Sequence, residues 1–160
     1  YGGAEEGTQV EYLSHIGGVT LEIMNAINHE AGMQADLAIT CAMLHDIIED
    51  TELTYTAVEE RFGTEVANGV MALTKNESLG SKREMMLDSL QRIKQQPKEV
   101  WAVKMADRIC NLYAPPYYWS REKKINYQDE ARLIHESLKA GNTYLANRLA
   151  KKIEDYAQYF

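Results

Sequence analysis

Apolar residues recur at three- and four-residue intervals along nearly the whole of this chain, and no stretch alternates convincingly between apolar and polar. That pattern leaves helices as the building material. Tyr12, His15, Val19, Ile23 and Ile27 trace one face of a first helix over about 9 to 29, ended by Gly32. A second helix is expected over about 35 to 50. "LTYTAVEERFG" reads as a short helix capped by Thr54 or Thr56 and stopped at Gly63. Thr64–Thr74 follows, with Val66, Val70 and Leu73 inward. After the loop "NESLGS", Ser81 caps a long helix reaching Gln95, with Met85, Met86 and Leu87 in its core. Pro97 restarts the chain into "KEVWAVKMADRICNLY", and Pro115-Pro116 breaks it again. Two last helices, over about 120 to 140 and 142 to 159, complete an all-α bundle of roughly seven to nine helices without significant sheet.

At 160 residues the chain has the size of one domain, 1–160, with enough length to bury a core of its own. It begins at Tyr1 rather than Met, which leaves room for further N-terminal residues. No apolar run approaches the length of a membrane span, and no signal-peptide pattern opens the chain. Cys41 and Cys110 both lie in apolar stretches, as reduced core thiols of a cytoplasmic protein do. The net charge of −7 argues against a nucleic-acid partner. If the substrate is an anion, the charge also demands a local positive focus. Composition and pattern do not fix an oligomeric state, and a homo-oligomer stays open.

The greasiest segment ends in an anomaly. "LAITCAMLHDIIEDT" is almost wholly apolar from Leu37 to Leu44 and then carries His45, Asp46, Glu49 and Asp50. An unpaired carboxylate buried there is too costly to persist, so Asp46 is paired, neutralised or coordinated. Taken alone, a buried His-Asp dipeptide is equally well explained as a hydrogen-bonded core pair. Four ionisable groups in six residues repel one another unless a cation sits among them. His15 falls in the apolar stripe of the first helix, where a lone histidine is more often a satisfied core residue than a ligand. Asp107 lies on the stripe of Val100, Val103 and Cys110, while Arg108 points about 100° away. The economical account is convergence of His15, His45, Asp46 and Asp107 on one divalent metal. Such a nitrogen and oxygen donor set without thiolate favours manganese, iron or a similar octahedral ion over structural zinc. A metal of this kind lowers the pKa of bound water and polarises a phosphoryl oxygen. Glu49 and Asp50, each one turn beyond His45 and Asp46 on a shared helical face, are placed to position or deprotonate that water. The alternative for both is a solvated helix end, which their crowding beside a metal site disfavours.

These residues resemble the HD superfamily of metal-dependent phosphohydrolases: His15, the "HD" of 45 and 46, and Asp107 in a late helix. "HDIIEDT", "FGTEVANGVMALTK" and "VKMADRICNL" are similar to the hydrolase domain of RelA/SpoT-type proteins over about 8 to 140, and the length suits the small stand-alone alarmone hydrolases. The resemblance implies a manganese-dependent enzyme that removes the 3′-pyrophosphate of (p)ppGpp, with Fe²⁺ as another suitable metal. It assigns the metal to His15, His45, Asp46 and Asp107 and the catalytic acidic pair to Glu49 and Asp50. Substrate contacts fall on Asn111, Lys75 and Lys104; for the two lysines a solvated charge or an ion pair serves equally well.

The match departs in two places. Glu5 and Glu6 stand where relatives carry a basic pair, and Ile16 stands where a proline is usual. Both bear on the base, not on the metal chemistry. Two rivals follow: an HD-type phosphohydrolase acting on another nucleotide, and a catalytically degenerate domain that senses a nucleotide by binding it. "YAPPYYWSREKK" suits either a loop over the nucleotide or aromatic packing on the last helices, and His29 and His135 have no partners at suggestive spacing.

Overall fold

A computed structural model describes residues 9–160, with side chains from Tyr12 onward. Glu5 and Glu6, the acidic departure noted above, lie outside the described residues. The helices run α1 Gln9–His29, α2 Ala35–Leu44, α3 Ile47–Asp50, α4 Tyr55–Phe62, α5 Thr64–Leu73, α6 Lys82–Ile93, α7 Lys98–Asn111, α8 Arg121–Leu138 and α9 Thr143–Tyr156, with a 3₁₀ turn at Ala157–Tyr159. No strand occurs among the described residues, and no described helix is long and apolar enough to cross a membrane.

The capping residues do what their chemistry allows. Thr54, Ser81, Ser120 and Asn142 each accept a backbone N–H from the first turn of the helix they open. Gly32 and Gly63 take φ of 107° and 87°, a region where a Cβ is costly, and so close α1 and α4.

Helix α7 is the central element, packing against α1, α2, α5, α8 and α9. The buried residues it shares with them form one continuous cluster, including Val19, Ile23, Val70, Val100 and Val103. Two acidic side chains tie α1 to α9. Glu22 pairs with Arg148, and Glu30 accepts the N–H groups of Thr143 and Tyr144 at 2.7 and 3.1 Å. Leu87 departs from its expected place. It is exposed, because the inward face of α6 is carried by Met86, Leu90 and Ile93. Trp119 packs edge-on against Tyr127, as the aromatic-packing reading of "YAPPYYW" expects, while Tyr117 and Tyr118 are exposed.

The seat of α5 depends on a missing side chain. A Cβ at Gly69 would stand 2.9 Å from a methyl of Val100 and 3.0 Å from Cys41 Sγ, whereas one at Gly17 would meet nothing within 4 Å. Gly69→Ala therefore lowers stability by about 1–3 kcal/mol through overpacking. Gly17→Ala, in mid-helix, raises it by up to about 1 kcal/mol. Urea midpoints of the two variants shifting in opposite directions would bear this out; a shared direction would not.

Candidate metal centre

Helices α1, α2 and α7 meet at one end of the bundle, and each brings its anomalous ionisable group there. His15 Nε2 lies 3.2 Å from His45 Nε2, 3.7 Å from Asp46 Oδ2 and 3.4 Å from Asp107 Oδ1. His45 Nε2 lies 3.0 Å from Asp46 Oδ2 and 3.9 Å from Asp107 Oδ1. The side chains of His15 and His45 are 6% and 2% exposed, against 23% and 13% for Asp46 and Asp107. The imidazoles thus form the floor and the carboxylates the solvent-facing rim.

The helix expected over 35 to 50 is broken at His45 and Asp46. His45 Nδ1 donates to the Ala42 carbonyl at 2.7 Å, the carbonyl that the Asp46 N–H would reach in a continuing helix. Asp46 turns to φ −103°, ψ 1°, and a separate turn, α3, starts beyond it with Asp50 N donating to Asp46 O at 2.8 Å. Glu49 and Asp50 therefore do not continue the face that carries His45 and Asp46. The same bond fixes the His45 tautomer. Nδ1 holds the proton, and Nε2 turns its lone pair toward the cluster.

Asp107 is gripped on both oxygens. Asn111 donates to Oδ1 at 2.7 Å and Lys104 to Oδ2 at 3.1 Å. The resemblance assigns both residues to the substrate; in the structure their side chains donate to the Asp107 carboxylate. Burial alone favours a protonated Asp107. Lys104, the bond from His15 and the charges of His45 and Arg108 outweigh it and hold the carboxyl well below its usual range. Burial disfavours a charged His45 ring, but the bond to Asp46 and the charges of Asp107 and Asp46 win and raise its pKa. The field of the site thus favours positive charge.

The donor set suits a divalent ion. At metal–ligand distances of about 2.1–2.2 Å, adjacent octahedral donors lie about 3.0 Å apart and opposite ones about 4.3 Å, the range that brackets these separations. Among the described residues, His15, His45 and Asp107 each present one ligand atom within 4.8 Å of the others, and Asp46 Oδ2 flanks both imidazoles.

Around this centre lie groups of a second kind. Glu49 accepts from the Lys75 ammonium and, at 3.2 Å, from the Lys75 N–H. Burial lowers the pKa of Lys75, but Glu49 and the nearby charges of Asp46 and Asp107 raise it overall. Asp50 is raised by partial burial and then by the charges of Asp46 and Glu49, and its carboxylate makes no hydrogen bond among the described residues. Tyr12 was not picked out from sequence as a site residue. Its pKa is raised by burial and by the charges of Asp46 and Asp50. Its position three residues before His15, on the same helical face, was the available signal.

An all-α bundle that brings a histidine of its first helix, an adjacent His-Asp pair and a late aspartate to one point has the architecture of a metal-binding helical domain. Residues 1–149 match the HD domain, and the chain belongs to that family. It is 30% identical over 148 residues to the guanosine-3′,5′-bis(diphosphate) 3′-pyrophosphohydrolase MESH1 of Homo sapiens, a match that covers 90% of this chain and 79% of that protein. The fold is also that of a metazoan ortholog of SpoT described as hydrolyzing ppGpp, with a TM-score of 0.75 at 24% identity over 93% of this chain and 83% of the other. The Listeria monocytogenes protein lmo0812 is similar in fold too, with a TM-score of 0.70 at 22% identity over 91% of this chain and 96% of that one.

Proposed function

We propose that this chain is a manganese-dependent phosphohydrolase that removes the 3′-pyrophosphate of (p)ppGpp. The observation that carries the reading is the meeting of two imidazoles and two carboxylates within 3.0–3.9 Å, with a lysine and an acidic pair at their edge. The activity of relatives such as human MESH1 supports the choice of substrate.

His15, His45, Asp46 and Asp107 would hold the metal, which when bound supplies a positive focus for phosphate oxygens and makes water a stronger acid. Lys104 and Asn111 keep the Asp107 carboxylate ionised and oriented. Asp50, with its carboxylate uncommitted, takes the proton of the attacking water. Glu49, held by Lys75, fixes the direction of attack. Water adds to the phosphorus joined to the 3′ oxygen, the bond to that oxygen breaks, and pyrophosphate leaves as the 3′ hydroxyl takes up a proton. Lys75, whose side chain is about half exposed, offers positive charge to the phosphates at the rim of an otherwise acidic protein.

The test is incubation of the purified protein with Mn²⁺ and ppGpp. Pyrophosphate and a nucleotide with a free 3′ hydroxyl are the expected products. Phosphate release from other nucleotides with none from ppGpp would replace the substrate. Tight nucleotide binding without turnover would leave a sensor.

A further inference from the structure

The C-terminal end of α5 is held from outside by α6. Arg92 donates from Nη1 to the carbonyls of Met71 and Ala72 at 2.6 and 3.1 Å, and from Nη2 to the Thr74 carbonyl at 2.8 Å. Its Nε donates to Asp88 at 2.8 Å, which fixes the plane of the guanidinium. Ser89, one turn earlier on α6, donates to the Ala72 carbonyl at 3.1 Å. These carbonyls are among the acceptors that the end of a helix leaves without an internal partner.

The Thr74 carbonyl has a further property. It belongs to the same rigid peptide unit as the Lys75 N–H, and the two point in opposite directions. On one side Arg92 donates to the carbonyl. On the other the Lys75 N–H donates to Glu49 Oε2 at 3.2 Å, and the Lys75 ammonium donates to Oε1. A cation on the carbonyl end polarises the amide and strengthens the N–H as a donor.

We propose that Arg92 is a positioning residue for the acidic pair: acting through the Thr74–Lys75 peptide, it holds the Glu49 carboxylate in register with the metal centre. The proposal rests on the role given to Glu49 above. Only Arg92's planar fork spans three carbonyls at the end of α5, and a lysine in its place keeps the charge but not the span.

A double-mutant cycle separates this role from simple support of α5. With ppGpp and Mn²⁺, Arg92→Gln is expected to lower kcat about tenfold or more, with KM and bound manganese nearly unchanged. In a Glu49→Gln background the same substitution is expected to cost less than about twofold, since the group it positions is already gone. An unchanged kcat in Arg92→Gln, or a loss carried undiminished into the Glu49→Gln background, overturns the relay and leaves the role of Glu49 standing. Full activity in Glu49→Gln alone overturns both together.

A readout that needs no substrate is the hydrogen exchange of the Lys75 amide. Arg92→Lys is expected to speed it about tenfold while buried amides of α7 keep their protection. Unchanged exchange at Lys75 defeats the proposal even if Arg92→Gln does not fold.

Discussion

Asp107→Ala is expected to cut turnover severely and to strip the protein of metal. The variant removes one of two carboxylates in the site and also leaves Lys104, 12% exposed, without the anion that its ammonium faces. If Asp107 ligates as proposed, its loss weakens the hold on the metal, and the several kcal/mol that a metal contributes to phosphoryl chemistry go with it. A fall in kcat/KM of about 10³-fold or more is expected, equivalent to about 4 kcal/mol at the transition state. Metal analysis of the purified variant should find well under one ion per chain. Asp107→Asn keeps the shape and an acceptor for Lys104, so it should lose metal and activity while melting closer to the parent. An Asp107→Ala protein with its metal and its rate intact would remove the centre from the account.

Asp50→Asn should spare the metal and stop the chemistry. Asp50 stands at the end of α3, outside the ligand set, with a carboxylate made more basic by partial burial and by the charges of Asp46 and Glu49. Replacing a proton acceptor by an amide of the same shape is expected to lower kcat by about 10²–10⁴-fold. Bound metal and KM should change little. Parent-like kcat in Asp50→Asn would pass the proton-accepting role to another group.

The gross architecture was legible in the sequence because the apolar spacing and the breakers agreed. Ser81 and Thr54 cap where hydroxyls before an amphipathic run should, and Gly63 turns where only a glycine turns cheaply. The four donors were legible for a different reason: each is a costly group in an apolar setting, and only convergence lowers the cost of all four at once. The break at His45 was not legible. It comes from a side-chain bond to the Ala42 carbonyl, and nothing in the apolar spacing of residues 37 to 48 records that competition.

The neighbours of Asp107 were half legible. Lys104 and Asn111 stand three residues before and four after it, so a shared face was plain, but not that both would spend their donors on the carboxylate. The partner of Glu49 was beyond reach, because Lys75 is 26 residues away and meets it only because the C-terminal end of α5 packs back against α3. Arg92 carries no signal in the sequence, since contacts with backbone carbonyls of another helix leave no trace in residue type.

The bond between the His45 ring and the Ala42 carbonyl joins two things usually separate, the direction of a ligand's lone pair and the course of the main chain. Straightening α2 into α3 would restore a regular helix only by swinging the imidazole away from His15 and Asp107. Occupancy of the centre and the bend at residues 45–46 are thus one mechanical variable. An ion that holds the ring also holds the corner from which Glu49 and Asp50 set out, so loading the protein should rigidify the very segment that carries this acidic pair.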